Sequence, residues 1–241
     1  MDGTVGISAA QRPYLAQRRA ASRTQAERLE EELVSFCAHR GLPVDEEAGR
    51  RIAILPASRL DPALAWDFVA DHLITHLSLP VDDVCRIGRL FARALVDAAG
   101  RGLVDREHAR AVADAASAAV QELPRLDQLT RTLRRGLVEG RPGRELWESD
   151  PEAYARAMER WESAQPIARE ELEGGFVVVA VREHAVELRH RRREEAIELP
   201  LAGDALRLVH EGDRLDALLG CNSGGWFLVD LWAAAAPRPT P

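Results

Sequence analysis

The chain has 241 residues, 46% hydrophobic and 29% charged, with a formal net charge of -7. That mixture supplies a packed core and excludes wholesale disorder, while the acidic balance offers no global field toward nucleic acid or an anionic membrane. All 32 basic residues are arginine, which excludes Schiff-base or Walker-lysine chemistry.

Asn222 is the only asparagine, and together with the absent lysine it points to a GC-rich bacterial genome. No apolar run approaches the ~20 residues that cross a bilayer, and the N-terminus lacks the pattern of a secretory signal, so a cytoplasmic location without membrane contact is expected. Cys37, Cys85 and Cys221 show neither a disulfide framework nor a CxxC pair and read as buried apolar residues in a reducing compartment.

Residues 1–23 carry Arg12, Arg18, Arg19 and Arg23 against Asp2 and read as a flexible basic arm. Thr24 and Glu27 have capping-box spacing and open a helix that ends at Gly41. A short helix over Asp45–Ile54 would be stopped by Pro56. Asp61 and Pro62 are a cap-plus-proline signal for a helix to about Leu77. It is apolar nearly all round, as a central helix is, and leaves Asp67, Asp71, Thr75 and Ser78 as a narrow wet stripe.

The next helix, from Pro80 or Val81 to Gly100 and Gly102, sets Val84, Ile87, Phe91 and Leu95 against a polar face of Asp82, Arg86, Arg89, Arg93 and Asp97. Asp105 caps an alanine-rich helix to about Leu123, and the seam Leu126, Leu129, Leu133 and Leu137 belongs to a flanking helix. Gly140, Pro142 and Gly143 break the pattern, and Asp150 with Pro151 opens a helix that ends before Pro166.

At Gly174 and Gly175 the period changes from helical to alternating. Strands follow at Phe176–Val181, Ala185–Arg189, Ala196–Leu201, Arg214–Leu219 and Trp226–Trp232, with a helical turn at Asp204–Val209. The expected fold is α+β: an N-terminal all-α bundle and a C-terminal five-stranded β-barrel of OB or SH3 kind. The expected organisation is the arm 1–23, a helical domain 24–140, a linker and docking helix 141–173 and a barrel domain 174–237. Phe176, Trp226, Phe227 and Trp232 are expected inside the barrel or at an interface.

Three constellations bear on chemistry. His190, Arg191, Arg192 and Arg193 form the densest positive cluster, at a hairpin tip suited to a nucleic-acid backbone or an acidic partner. Glu194 and Glu195 follow at once, and residues 174–241 hold 8 arginines against 10 acids. His72 and His76, four apart on a helix, are candidate metal ligands without the general-base glutamate of HExxH. Arg86, Arg89 and Arg93 share a helix face but sit among acids that pair with them.

No catalytic set or cofactor motif emerges. The expectation is a non-catalytic adaptor or regulatory protein that binds another protein through barrel and linker helix. Nucleic-acid binding through Arg191–Arg193 and the arm is the first alternative, and a metal-dependent helical enzyme built on His72 and His76 is the second.

Overall fold

In a computed structural model of the protein, residues 20–41, 61–76, 80–102, 104–190 and 192–237 are described. The expected arm through residue 19 and the expected helix Asp45–Ile54 lie outside them. The chain forms two compact units, one reaching to Pro124 and the other Arg125–Pro237.

In the first unit, α1 is Ala20–His39. It starts four residues ahead of the Thr24 capping box, so Thr24 lies within a helix rather than at its cap, and its last turn still closes at Gly41. Next come α2 (Pro62–Asp67), a π-helical turn (Phe68–His72) and α3 (Leu73–His76). The Asp61 carboxylate accepts the Leu64 N–H at 2.7 Å, as the cap signal requires. The Leu73 N–H reaches the Phe68 carbonyl five residues back, a local widening that a constant 3.6-residue projection does not register.

Of the polar stripe expected on this helix, Asp71 is half-buried and Asp67 is buried. Asp67, expected in water, is 5% exposed and accepts from Arg40, in the turn after α1, at 2.7 Å. Helix α4 (Val81–Gly100) buries Val84, Ile87, Phe91 and Leu95 and exposes Asp82, Arg86, Arg89 and Arg93, as its periodicity predicts. Its Gly88 permits close helix packing, because a Cβ there would stand 2.5 Å from Val120 Cγ2 and 3.2 Å from Val69 Cγ1.

Helix α5 is one element, Arg106–Leu137, with Pro124 inside it; the flanking helix expected for the leucine seam is its own continuation. Proline in a helix interior costs about 3 kcal/mol. Leu123, Leu126 and Leu129 are each fully buried, and burial of one leucine returns about 1.5–3 kcal/mol, so packing on both sides of the proline outweighs the break. Asp105 caps the helix through the His108 N–H at 2.8 Å.

In the second unit, α6 (Arg144–Ser149), which the sequence pattern did not reveal, precedes α7 (Pro151–Ala164). Asp150 caps α7 by accepting from the Ala153 N–H at 2.9 Å. The sheet is antiparallel, in the order β3-β2-β1-β4-β5. The strands are β1 (Glu170–Val181), β2 (Ala185–His190), β3 (Ile197–Pro200), β4 (Arg214–Asn222) and β5 (Gly225–Ala235), with a short helix α8 (Gly203–Leu206) between β3 and β4. Thus β1 begins six residues before Phe176, in a segment expected to be linker.

Strand β1 serves two neighbours in succession: residues 170–177 pair with β4, and residues 176–181 pair with β2 across a bulge between Val178 and Ala180. Sharing one bent strand curls the sheet until β3 and β5 approach each other. Phe176, Val178, Leu188, Ile197, Leu215 and Leu219 fill the concave side, each no more than 1% exposed.

Candidate interaction surface

Among the described residues of the positive run, His190 and Arg193 are turned to partners within the sheet. His190 is 1% exposed, its ring centroid 5.0 Å from that of Phe176, and its Nδ1 accepts from the Arg192 N–H at 3.4 Å. It pairs with Phe176 across the β1–β2 ladder and therefore points to the filled side of the sheet. Arg191 lies outside the described residues, and Arg192 is exposed. Arg193 donates to Glu170 and sits 5.0 Å over the Trp226 ring, so its guanidinium already has a carboxylate and an aromatic face.

His72 is buried, and its Nε2 lies 3.1 Å from Glu32 Oε2 among Phe36 and Phe68. The His76 side chain lies outside the described residues. Among the described residues no three of His, Cys, Asp and Glu cluster as a metal site. Arg86 pairs with Asp83 at 3.1 Å, three residues before it, on the solvated face of α4.

The most distinctive surface is the convex face of β1, β4 and β5. Strand alternation sends Glu171, Glu173, Gly175 and Val177 outward, opposite Gly220, Leu218, Asp216 and Arg214. On β5, Phe227 pairs with Gly220 and Asp230 with Leu218. The Phe227 ring lies across Gly220, 2.6 Å from where a Cβ would stand. Across three strands the result is a face with Glu171, Glu173, Asp216 and Asp230 spread through apolar groups. Arg214 is the counter-charge and lies 3.6 Å from Asp216.

Two irregularities in the β4–β5 register shape this face. Opposite Asp216 and Ala217 stand Ala233 and Leu231, leaving Trp232 as the extra residue; opposite Leu218 and Leu219 stand Asp230 and Leu228, leaving Val229 extra. A bulge re-aims the side chain it inserts, and both are turned outward: Trp232 is 44% exposed and Val229 37%. Arg134 of α5 fixes the first bulge by donating from Nε to the Leu231 carbonyl at 3.0 Å and from Nη2 to the Trp232 carbonyl at 2.7 Å.

Of the two places expected for the aromatics, inside the barrel or at an interface, Trp232 is not in the first, and Trp226 and Phe227 are only half-buried. The outward row of Glu171 and Glu173 was not readable, because it lies in the segment expected to be linker. Nor were the bulges, because one inserted residue reverses the facing of everything after it.

Comparison with protein-family models, with curated proteins and with solved structures finds no match. Fold and surface together define a mixed helix-and-sheet protein with a curled antiparallel sheet whose convex face is both acidic and aromatic.

Proposed function

We propose that the protein is a non-catalytic adaptor or regulatory protein that binds another protein through its second unit. The observation that carries this reading is Trp232, a large aromatic held outward at a bulge by two hydrogen bonds from Arg134. Tryptophan is the side chain most enriched at the energetic centre of protein interfaces, and leaving it in water forgoes its burial energy. Trp147, 54% exposed on α6, and Ile167, 83% exposed ahead of β1, extend the apolar surface of the same unit.

The finer fold reading is an OB-type barrel. The strand order, the helical turn between β3 and β4 and the approach of β3 to β5 support that connectivity over the SH3 kind. Nucleic-acid binding is the weaker reading, because Arg193 and the Trp226 ring engage each other and acids line the convex face.

The test is site-specific photo-cross-linking in the native host, with a photoreactive phenylalanine analogue at position 232 and, as control, at exposed Glu159 of α7. A discrete protein adduct at 232 that is absent at 159 supports the reading. Equal adducts at both positions, or none, count against it.

A further inference from the structure

The convex face, read above as the protein-binding surface, also specifies the chemistry of what binds. We propose that its occupant is a basic, apolar-anchored segment of a partner protein: a stretch of arginines or lysines interleaved with aliphatic or aromatic side chains. The inference rests on the protein-binding reading and adds the class of partner to it.

The first argument is charge complementarity. Glu171, Glu173 and Asp230 are exposed carboxylates on neighbouring strands, Asp216 lies between them, and Arg214 is already beside Asp216. Complementary potentials across an interface steer encounter and fix register, and like charges set opposite one another are penalised. An acidic peptide, a phosphate backbone or an anionic lipid surface would each meet this face with the same sign.

The second argument separates a partner from a second copy. A two-fold dimer brings the same patch against itself, which would place these acids against their own images with Arg214 already engaged. The occupant is therefore a different surface, of opposite charge.

The third argument is shape. Three strands at a spacing of about 4.8 Å make a strip about 10 Å wide beside Glu171 and Glu173, narrowing toward Val177, where Ala233 and Ala235 of β5 are each 6% exposed, and Glu171 to Val177 covers about 20 Å along β1. That strip accommodates one extended or helical segment. Trp232 and Val229 supply apolar anchors at one margin, and the carboxylates lie beside them to receive cationic heads whose aliphatic stems cover Leu218 and Phe227.

The test uses the full chain and fluorescein-labelled probe peptides of defined sequence, read by anisotropy. The first alternates arginine with leucine, the second replaces each arginine by glutamate, and the third replaces each leucine by serine. The first should bind and the other two should not, with affinity falling at least about fivefold as salt rises from about 50 to about 300 mM.

Charge reversal at Glu171→Arg, Glu173→Arg and Asp230→Arg together should weaken the first peptide at least about tenfold, as should Trp232→Ala. The same number of reversals at Glu145, Glu159 and Glu162, exposed on α6 and α7, should change it less than about twofold, which separates the face from the net charge of the chain. Far-ultraviolet circular dichroism and melting curves confirm that each variant is folded.

Failure of the arginine–leucine peptide to bind, equal binding by the glutamate peptide, or equal losses from both sets of reversals overturns the inference. So does a fluorescein-labelled oligonucleotide that, without peptide present, binds the wild-type chain more tightly than the first peptide does. The two readings fail separately: an adduct specific to position 232 whose yield survives the face reversals leaves the protein-binding reading standing and removes the basic-partner assignment.

Discussion

Arg125 and Asp213, 88 residues apart, form a forked ion pair. Nη1 lies 2.7 Å from one carboxylate oxygen and Nη2 lies 2.9 Å from the other. Asp213 has no exposed surface and also accepts the His210 N–H at 2.8 Å, while Arg125 donates to the Leu208 carbonyl at 2.6 Å. The Asp213 carbonyl and the Gly212 N–H in turn bond Val178, where β1 bulges toward β2. The pair thus anchors the 208–213 turn to the helix and to the strand whose bend curls the sheet.

Removing one partner of a buried pair strands the other charge, which costs about 3–5 kcal/mol. Arg125→Ala should destabilise the second unit by about that amount in denaturant unfolding. Arg125→Lys keeps the charge but loses the fork and should fall between the two. An apolar replacement of both partners, Arg125→Met with Asp213→Leu, should recover only part of the loss, because the His210 N–H and the Leu208 carbonyl lose their partners. If Arg125→Ala changes stability by less than ~1 kcal/mol, the pair is not the anchor.

Gly88 and Gly174, two of the closely packed glycines, make a paired test of what a missing Cβ does. Gly88→Ala should cost about 1–3 kcal/mol by overpacking against Val120, and Val120→Ala in the same chain should relieve part of that cost. At Gly174 the φ of +141° is a conformation that side chains rarely adopt, and a Cβ would stand 2.9 Å from His190 Nε2. Gly174→Ala should therefore destabilise as well, but His190→Ala should not rescue it, because backbone strain persists after the contact is removed. Double-mutant unfolding curves distinguish the two behaviours.

What the sequence made legible was local. The Asp61, Asp105 and Asp150 caps and the face of α4 follow from single-residue chemistry and a constant period, and all stand where that chemistry puts them. What it hid depends on distant partners. Pro124 reads as a stop until the leucines on both sides are seen to be buried, and Asp67 reads as wet until Arg40 arrives from the turn after α1. His190 belongs to a basic run in sequence but to the Phe176 row in register. The candidate face was hidden twice over: Glu171 and Glu173 fall in the segment expected to be linker, and Trp232 depends on a bulge held by Arg134.

The cysteines predict a pattern of reactivity with pH. Cys37 is fully buried, and that burial pushes its thiol from 9.0 up to about 11. Cys85 is buried and Cys221 half-buried. Under native conditions near neutral pH an alkylating agent should modify Cys221 first, with Cys37 and Cys85 protected until unfolding, as read by intact mass and peptide mapping. Because the folded pKa of Cys37 is the higher one, its contribution to stability is fully present below pH 9.0 and is lost as pH rises toward about 11. The decline in melting temperature over that window should be smaller in Cys37→Ala than in the wild-type chain. Equal slopes would remove the assignment.

The last prediction separates interaction from stability on β5. Leu231 and Trp232 are adjacent, yet Leu231 is 1% exposed and Trp232 44%. Arg134 bonds their backbone carbonyls, so truncating either side chain leaves those bonds in place. Leu231→Ala should cost about 2–5 kcal/mol as a core truncation. Trp232→Ala should change unfolding free energy by no more than about 0.5 kcal/mol, the range of surface substitutions, while abolishing whatever binding the chain supports through this face. Denaturant titrations of both variants, set beside their cross-linking or peptide affinities, make the comparison. A Trp232→Ala chain that loses as much stability as Leu231→Ala would mean that the indole is a structural group, and the interaction surface would then lose its central residue.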